Sequence, residues 1–183
     1  MLMEKLFSTG IMQMGPSRRD PQRQVGVFKP SFVAGLPALR ATELEKFRWI
    51  EGEWDYENAV PATPVSPAYT DIGSARFSFN DKTNWICMVA PDGAETPNIT
   101  FDPMGRQWIY LLIKGSYGIL RSAEGWKAGT IAFTGLMTMI GINTEWRLTL
   151  TRTGAHRFSF VNEERIQDGS WAYIDQWQFQ RKD

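Results

Sequence analysis

The side chains with the most chemical potential fall in one late segment, Tyr173, Asp175, Trp177, Phe179 and Arg181. Their spacing of two puts them on one face of an extended strand, where a carboxylate and a phenol sit among aromatic rings. Burial among such rings raises a carboxylate's pKa unless a cation pairs with it. That suits Asp175 to acid–base work or to gripping the polar end of a ligand. The plain alternatives are an ion pair at a rim, or a register that turns Asp175 to water. His156, the only histidine, lies in Thr153-Gly154-Ala155-His156 and reads as an exposed hairpin tip. Cys87, the only cysteine, lies in a strand-like run and reads as a buried, inert thiol. One histidine and one distant cysteine cannot assemble a zinc or blue-copper ligand set, so no metal site is expected. A Cys–His nucleophilic pair would have no supporting motif. No Gly-x-Ser-x-Gly, His-Glu-x-x-His or phosphate-cradling glycine loop occurs, so no cofactor is assigned and no residue is singled out as catalytic.

The elements that must hold these groups are strands. Period-two alternation runs through Trp54-Tyr56-Asn58, Ala75-Phe77-Phe79, Trp146-Leu148-Leu150 and Phe158-Phe160, and recurs in the segment above. Further extended runs fall at 85–89, 99–101, 108–113, 117–122 and 129–134. Turn signals such as Asn80-Asp81, Pro91-Asp92-Gly93, Asp102-Pro103-Met104-Gly105 and Asp168-Gly169 separate them. About ten strands joined by short turns predict an all-β fold, a closed antiparallel meander barrel, because closure removes exposed edges. A two-sheet sandwich is the structural alternative. A short helix over 42–50 precedes the first strand. Thr42 with Glu45 forms a capping-box pattern, Leu44, Phe47 and Ile50 share one face, and Gly52 ends it; this helix would cap one end of the barrel. Residues 1–40 keep no period and read as an irregular N-terminal extension, with the barrel domain over 41–183. Val25, Val27, Phe28, Phe32, Val33 and Leu36 are the extension's candidates for docking on the barrel or on a second subunit.

Composition bounds the partners. Twenty basic and twenty acidic residues give zero net charge, which argues against nucleic acid as a partner; Arg18, Arg19 and Arg23 are the one local basic cluster. Eight Trp and eleven Phe favour half-buried pleated surfaces. No apolar run is long enough to span a bilayer, and the N-terminus does not read as a secretory signal. With a lone cysteine, the expectation is a non-secreted, cytoplasmic protein. The sequon Asn98-Ile99-Thr100 is then without consequence.

Gly52-Glu53-Trp54 opening the first strand and Phe179-Gln180-Arg181 ending the last resemble the calycin superfamily. There a Gly-x-Trp on the first strand packs against an arginine late in the last. A flat guanidinium over an indole plugs the barrel and satisfies the charge, and the glycine lets the chain turn tightly into the strand. Phe158-Ser159-Phe160, Glu163-Glu164, Asp168-Gly169-Ser170-Trp171 and Trp177-Gln178-Phe179-Gln180-Arg181-Lys182 are similar to a group of uncharacterised bacterial lipocalin-like proteins. The resemblance covers Arg48 to the end and implies a barrel with a lumen; it carries no agreed activity. In nitrobindin-like barrels of similar shape a late histidine holds haem iron. His156, at a hairpin tip, departs from that pattern.

If Arg181 stacks on Trp54, alternation points Asp175 into the lumen, with Tyr173 and Trp177. Tyr56 and Asn58 follow Trp54 inward, and Trp146 sits on the apolar side of its strand. Tyr110 has apolar neighbours on both faces. Gly135-Leu136-Met137-Thr138-Met139-Ile140-Gly141-Ile142 is apolar where a loop should be polar; it is a lid carrying Met137, a dimer contact, or the continuation of a long strand. These residues form the expected binding set for a small apolar or aromatic molecule, and a homodimer is expected from the apolar 135–142 segment and the extension. Three functions stay open. They are a carrier or sensor, an isomerase, cyclase or decarboxylase using Asp175 with a lumen tyrosine, and an interaction module whose barrel is simply filled.

Overall fold

The computed structural model describes residues 30–182 other than 65, 91, 115 and 140, and not the side chains of 30–32 and 114. Val25, Val27, Phe28 and the cluster Arg18, Arg19 and Arg23 lie outside the described residues, as does the side chain of Phe32. Helix α1 (Pro30–Glu45) leads through a 3-10 turn (Arg48–Ile50) into ten strands. They are β1 (Gly52–Val60), β2 (Tyr69–Asn80), β3 (Trp85–Val89), β4 (Glu95–Asp102), β5 (Gln107–Lys114), β6 (Ser116–Ser122), β7 (Thr130–Met139), β8 (Ile142–Arg152), β9 (Arg157–Arg165) and β10 (Trp171–Arg181). Each strand pairs antiparallel with its sequence neighbours, and β1 closes on β10, which makes one closed meander barrel rather than a sandwich. No helix among the described residues is long and apolar enough to cross a membrane.

The hairpins share a local device. Asn80, Asp92, Asp102 and Asp168 each turn a side-chain oxygen back on a backbone N–H two residues on, at 2.8–3.1 Å. These side chains bond their own backbone in place of the ladder, which ends one strand and aims the next.

The helix differs from the expectation. It starts at Pro30, so the boundary drawn at residue 41 runs through it, and residues 30–40 are helical rather than irregular. Thr42 is therefore near the C-terminal end. Its hydroxyl bonds back to the Ala38 carbonyl at 3.0 Å, and Glu45 pairs with Arg48 at 2.8 Å, so the Thr42–Glu45 pattern caps nothing. The buried face is nevertheless the expected one, with Leu44 at 1% exposure and Phe47 and Ile50 at 0%.

That face closes one end of the barrel with aromatic rings. Phe47 lies 4.7 Å from both Trp108 and Trp126, Trp49 lies 5.4 Å from Phe158, and Trp54 lies 4.7 Å from Phe158. Burying side chains of this kind stabilises by roughly 1.5–3 kcal/mol each. Arg181 ties this plug to the barrel wall. Its guanidinium carbon lies 4.4 Å over the Trp54 ring, one nitrogen donates to the Glu51 carbonyl at 2.7 Å, and another donates to the Trp49 carbonyl. The Trp54 indole N–H donates to the Ile50 carbonyl at 2.8 Å. Gly52 makes room for this. Its φ is +123°, and a Cβ there would stand 2.4 Å from an Arg181 nitrogen.

Arg181→Ala removes the stack and leaves two carbonyls without their donor. It is expected to destabilise by about 2–4 kcal/mol, read as a lower urea midpoint at unchanged slope. Arg181→Lys is expected to recover less than half, because an ammonium cannot reach both carbonyls while stacking. Full recovery by lysine would show that the charge alone matters.

Candidate functional site

From the Arg181–Trp54 contact, period two carries the inner wall away from the plug. Across the β1–β10 seam Trp54 faces Arg181, Tyr56 faces Phe179 and Asn58 faces Trp177. On β9 the inward positions are Phe158, Phe160, Asn162 and Glu164, and on β8 they include Leu150, Leu148 and Trp146. Apart from Arg181 and Ser122, the wall is apolar near the plug, and it turns polar toward the open end.

Asp175 is the centre of that polar end. Asn162 donates to its Oδ1 at 2.7 Å, and the Trp146 indole N–H donates to the Asn162 side-chain oxygen at 3.0 Å. The chain Trp146–Asn162–Asp175 thus spans β8, β9 and β10. Burial pushes the Asp175 pKa above the ordinary carboxylate range, against the opposing pull of Asn162, Trp177 and Asn58, which stabilise the charge. Asn58 is 6% exposed, and its side-chain oxygen accepts no hydrogen bond from the described residues. Tyr110 is also buried, and its ring lies 5.7 Å from Phe133 and 6.2 Å from Phe160. Burial raises its pKa, and the Asp175 charge adds to the rise while Asn98 opposes it, so the phenol stays neutral. Tyr56 lies across Gly73, 4.9 Å from Trp177 by ring centroids, with its hydroxyl 3.4 Å from an Asp71 carboxylate oxygen. Met137 is buried on the inward face of β7, and Trp146 is buried on β8.

Tyr173 is placed otherwise. The β9–β10 register shifts between Tyr173, opposite Glu163, and Asp175, opposite Asn162, which leaves Ile174 as an extra residue. The bulge reverses the alternation. Tyr173 therefore shares the outer face with Glu163, whose carboxylate is held bidentately by Arg147 at 2.6 and 2.7 Å. Tyr173 is 46% exposed and lines a rim cleft of about 320 Å³ with residues such as Ala59, Pro61 and Tyr69. The expected pairing of Asp175 with Tyr173 in one lumen is thus corrected, and the Tyr56 hydroxyl is turned to Asp71. The acid–base pair behind the enzymatic reading is not assembled from either tyrosine.

Of the three readings of the 135–142 segment, the continuation of a strand is the one found. It continues β7 to Met139 and enters β8 at Ile142, with Met137 inward and Leu136 outward at 66% exposure. His156 is exposed in the turn between β8 and β9, at the plugged end. Cys87 is buried at 2%, and burial, with Glu95 nearby, raises its pKa and keeps it a thiol. Among the described residues no group of three His, Cys, Asp or Glu side chains is arranged to hold a metal. Sequence reading missed Asn162 and Glu164, although the alternation from Phe158 and Phe160 points to both. It also missed Asn98, the extra residue of a β3–β4 register shift, whose amide donates to the Leu111 carbonyl at 3.1 Å.

No family model matches the chain, and no curated protein matches it. Among solved structures it is similar to Rv2717c from M. tuberculosis, at 10% identity and a TM-score of 0.48, covering 77% of this chain and 98% of that one. A redesigned beta barrel is 13% identical with a TM-score of 0.35, covering 74% of this chain and 93% of that one. A protein of unknown function from the DUF3598 family of Nostoc punctiforme is 10% identical with a TM-score of 0.38, covering 73% of this chain and 48% of that one.

The raised Asp175 pKa fixes the sign of a stability test. A carboxyl whose folded pKa lies above its unfolded value favours folding below the unfolded pKa, and that contribution is lost as pH rises through the folded one. Asp175→Asn is therefore expected to raise the thermal midpoint at neutral pH. The gain should shrink as pH falls and wild-type Asp175 takes up its proton. Wild-type and variant melting curves that stay parallel from neutral to mildly acid pH would show an unshifted carboxylate.

Proposed function

We propose that the barrel binds a small, largely apolar or aromatic molecule in its open half, as a carrier or sensor. The observation that carries this reading is a gradient along the inner wall. Near the plug, inward side chains such as Trp54, Leu150 and Phe158 are at most 1% exposed. Toward the open end, inward Tyr56, Asp175 and Trp177 are only partly covered, beside the buried Asn58, Met137 and Trp146. A lumen closely packed near the plug, with partly covered aromatic rings and polar handles toward the other end, has the composition of a small-molecule pocket. Each well-placed ring contact contributes roughly 0.5–1.5 kcal/mol beyond its buried area.

The Gly52, Trp54 and Arg181 arrangement supports placing the chain among the lipocalin-like calycin barrels. The lone, buried Cys87 supports a reducing, cytoplasmic setting. A second reading, the interaction module, is favoured by one outer strip. Ile113 pairs with Tyr117, and Ile119 pairs with Leu136, on adjacent strands; these four are 44–66% exposed. A homodimer formed across β5–β7 would cover that strip.

The ligand reading is tested with a broad panel of fatty acids, aromatic acids, aromatic amines and polyketide-like compounds. A binder is expected to shift Trp fluorescence and to raise the thermal midpoint. The stabilisation should reach about 2.7 kcal/mol at a concentration one hundredfold above its Kd. Trp177→Phe should remove much of the fluorescence change while keeping the thermal shift. A panel that moves neither signal returns the protein to the interaction module.

A further inference from the structure

The open half of the lumen is rich in acceptors and poor in positive charge. The inward positions of β1, β2, β8, β9 and β10 beyond Phe160 and Phe179 carry the carboxylates of Asp71, Glu164 and Asp175. Among the described residues, no Lys, Arg or His shares those positions. The cations of these strands point elsewhere. Arg147 is held by Glu163 and Arg165 by Glu145 on the outer face, while Arg152 stacks 4.9 Å from Trp49 at the plugged end. Neither Glu164 nor Asp175 enters an ion pair among the described residues. A second and independent sign is Asn58. More than nine-tenths buried and on the inward face beside Asp175, it has a side-chain oxygen with no donor. A buried acceptor in that state carries a desolvation cost that a donor from outside the chain would relieve. The walls around this pair are Trp177, Tyr56 and Trp146, and the faces of such rings attract cations.

Resting on the lumen-binding reading above, we propose that the bound molecule is an organic cation, an amine or a protonated nitrogen heterocycle on an aromatic or aliphatic frame. Its N–H groups bond the Asn58 side-chain oxygen and the Asp175 carboxylate, and its charge lies against the rings of Trp177 and Tyr56. Binding then weakens as pH falls and Asp175 is protonated. The titratable groups facing the site are Tyr56 on β1, Asp71 on β2, Tyr110 on β5 and Glu164 on β9, with Tyr173 outside on the same strand as Asp175. The phenols of Tyr56, Tyr110 and Tyr173 have pKa values raised by burial and stay neutral.

The test is calorimetric titration of the full chain at neutral pH with benzyl, indolyl and naphthyl frames, each as the amine, the alcohol and the carboxylate. The amine is expected to bind at least about tenfold more tightly than the alcohol of the same frame, and the carboxylate more weakly than either. Asp175→Asn should erase the gap between amine and alcohol, weakening the amine far more than the alcohol of the same frame. Asn58→Leu, which keeps the volume and removes the orphan acceptor, should weaken the amine several-fold. Alcohol or carboxylate binding as tight as the amine, or a gap that survives Asp175→Asn, overturns the cation assignment and leaves lumen binding standing. If no compound binds at millimolar concentration, both readings fall.

Discussion

The structure depends on one contact, the Arg181 guanidinium lying over Trp54 and bonded to the carbonyls of Glu51 and Trp49. It joins the last strand to the first and fastens both to the turn that delivers the plug. A planar, permanently charged group is well suited to this place. It offers a face to the indole and an edge of donors to backbone carbonyls that the 3-10 turn leaves unpaired. The aromatic cluster of Phe47, Trp49, Trp108, Trp126 and Phe158 fills the space around it, so the barrel has one sealed end and one end that is only partly covered.

That contact also fixes the phase of the inner wall. With Trp54 and Arg181 facing in, Asn58 and Asp175 must face in as well, provided no extra residue intervenes. The bulge at Ile174 comes just beyond Asp175. It leaves the carboxylate inside and turns Tyr173 out, so a single inserted residue separates the lumen's chemistry from that of the rim. Asn162 and Trp146 then hold Asp175 from the neighbouring strands. No cation relieves its burial, and the fold carries the strain of a desolvated acid at a position where a neutral amide of the same shape would fit.

Much of this was legible in the residues. The strand count, the closed meander, the buried face of Leu44, Phe47 and Ile50 and the inward direction of Tyr56, Asn58, Trp146 and Asp175 follow from period two and turn chemistry, which are local signals. The losses have local causes too. A bulge has no composition of its own, so strict alternation carried Tyr173 to the wrong face. The Thr42–Glu45 pattern is a helix start only where no turn precedes it, and the turns from Pro30 onward lacked a readable period because Gly35 and Pro37 interrupt them. The 135–142 stretch leaves a lid, a dimer contact and a continued strand equally open, because its outward residues, Leu136 and Ile142, are apolar where a solvated strand face is usually polar. Asn162 was passed over because the apolar alternation stops there, although the backbone alternation does not.

The meander has a consequence for how the chain reaches this state. Every neighbouring pair of strands but one is consecutive in sequence, so nine pairings can form as short hairpins with small loop-closure entropy. The exception is β1 with β10, a seam beside which the Arg181 side chain donates to the carbonyl of Glu51, the residue before β1 and 130 positions away. Ring closure is therefore the slow, non-local event, and until it occurs two bare strand edges are open to pairing with other chains. Arg181 and Trp54 sit at one end of that seam and Asn58 and Trp177 near the other. The residues that shape the lumen thus also line the joint whose opening time sets the kinetic lifetime of the closed ring.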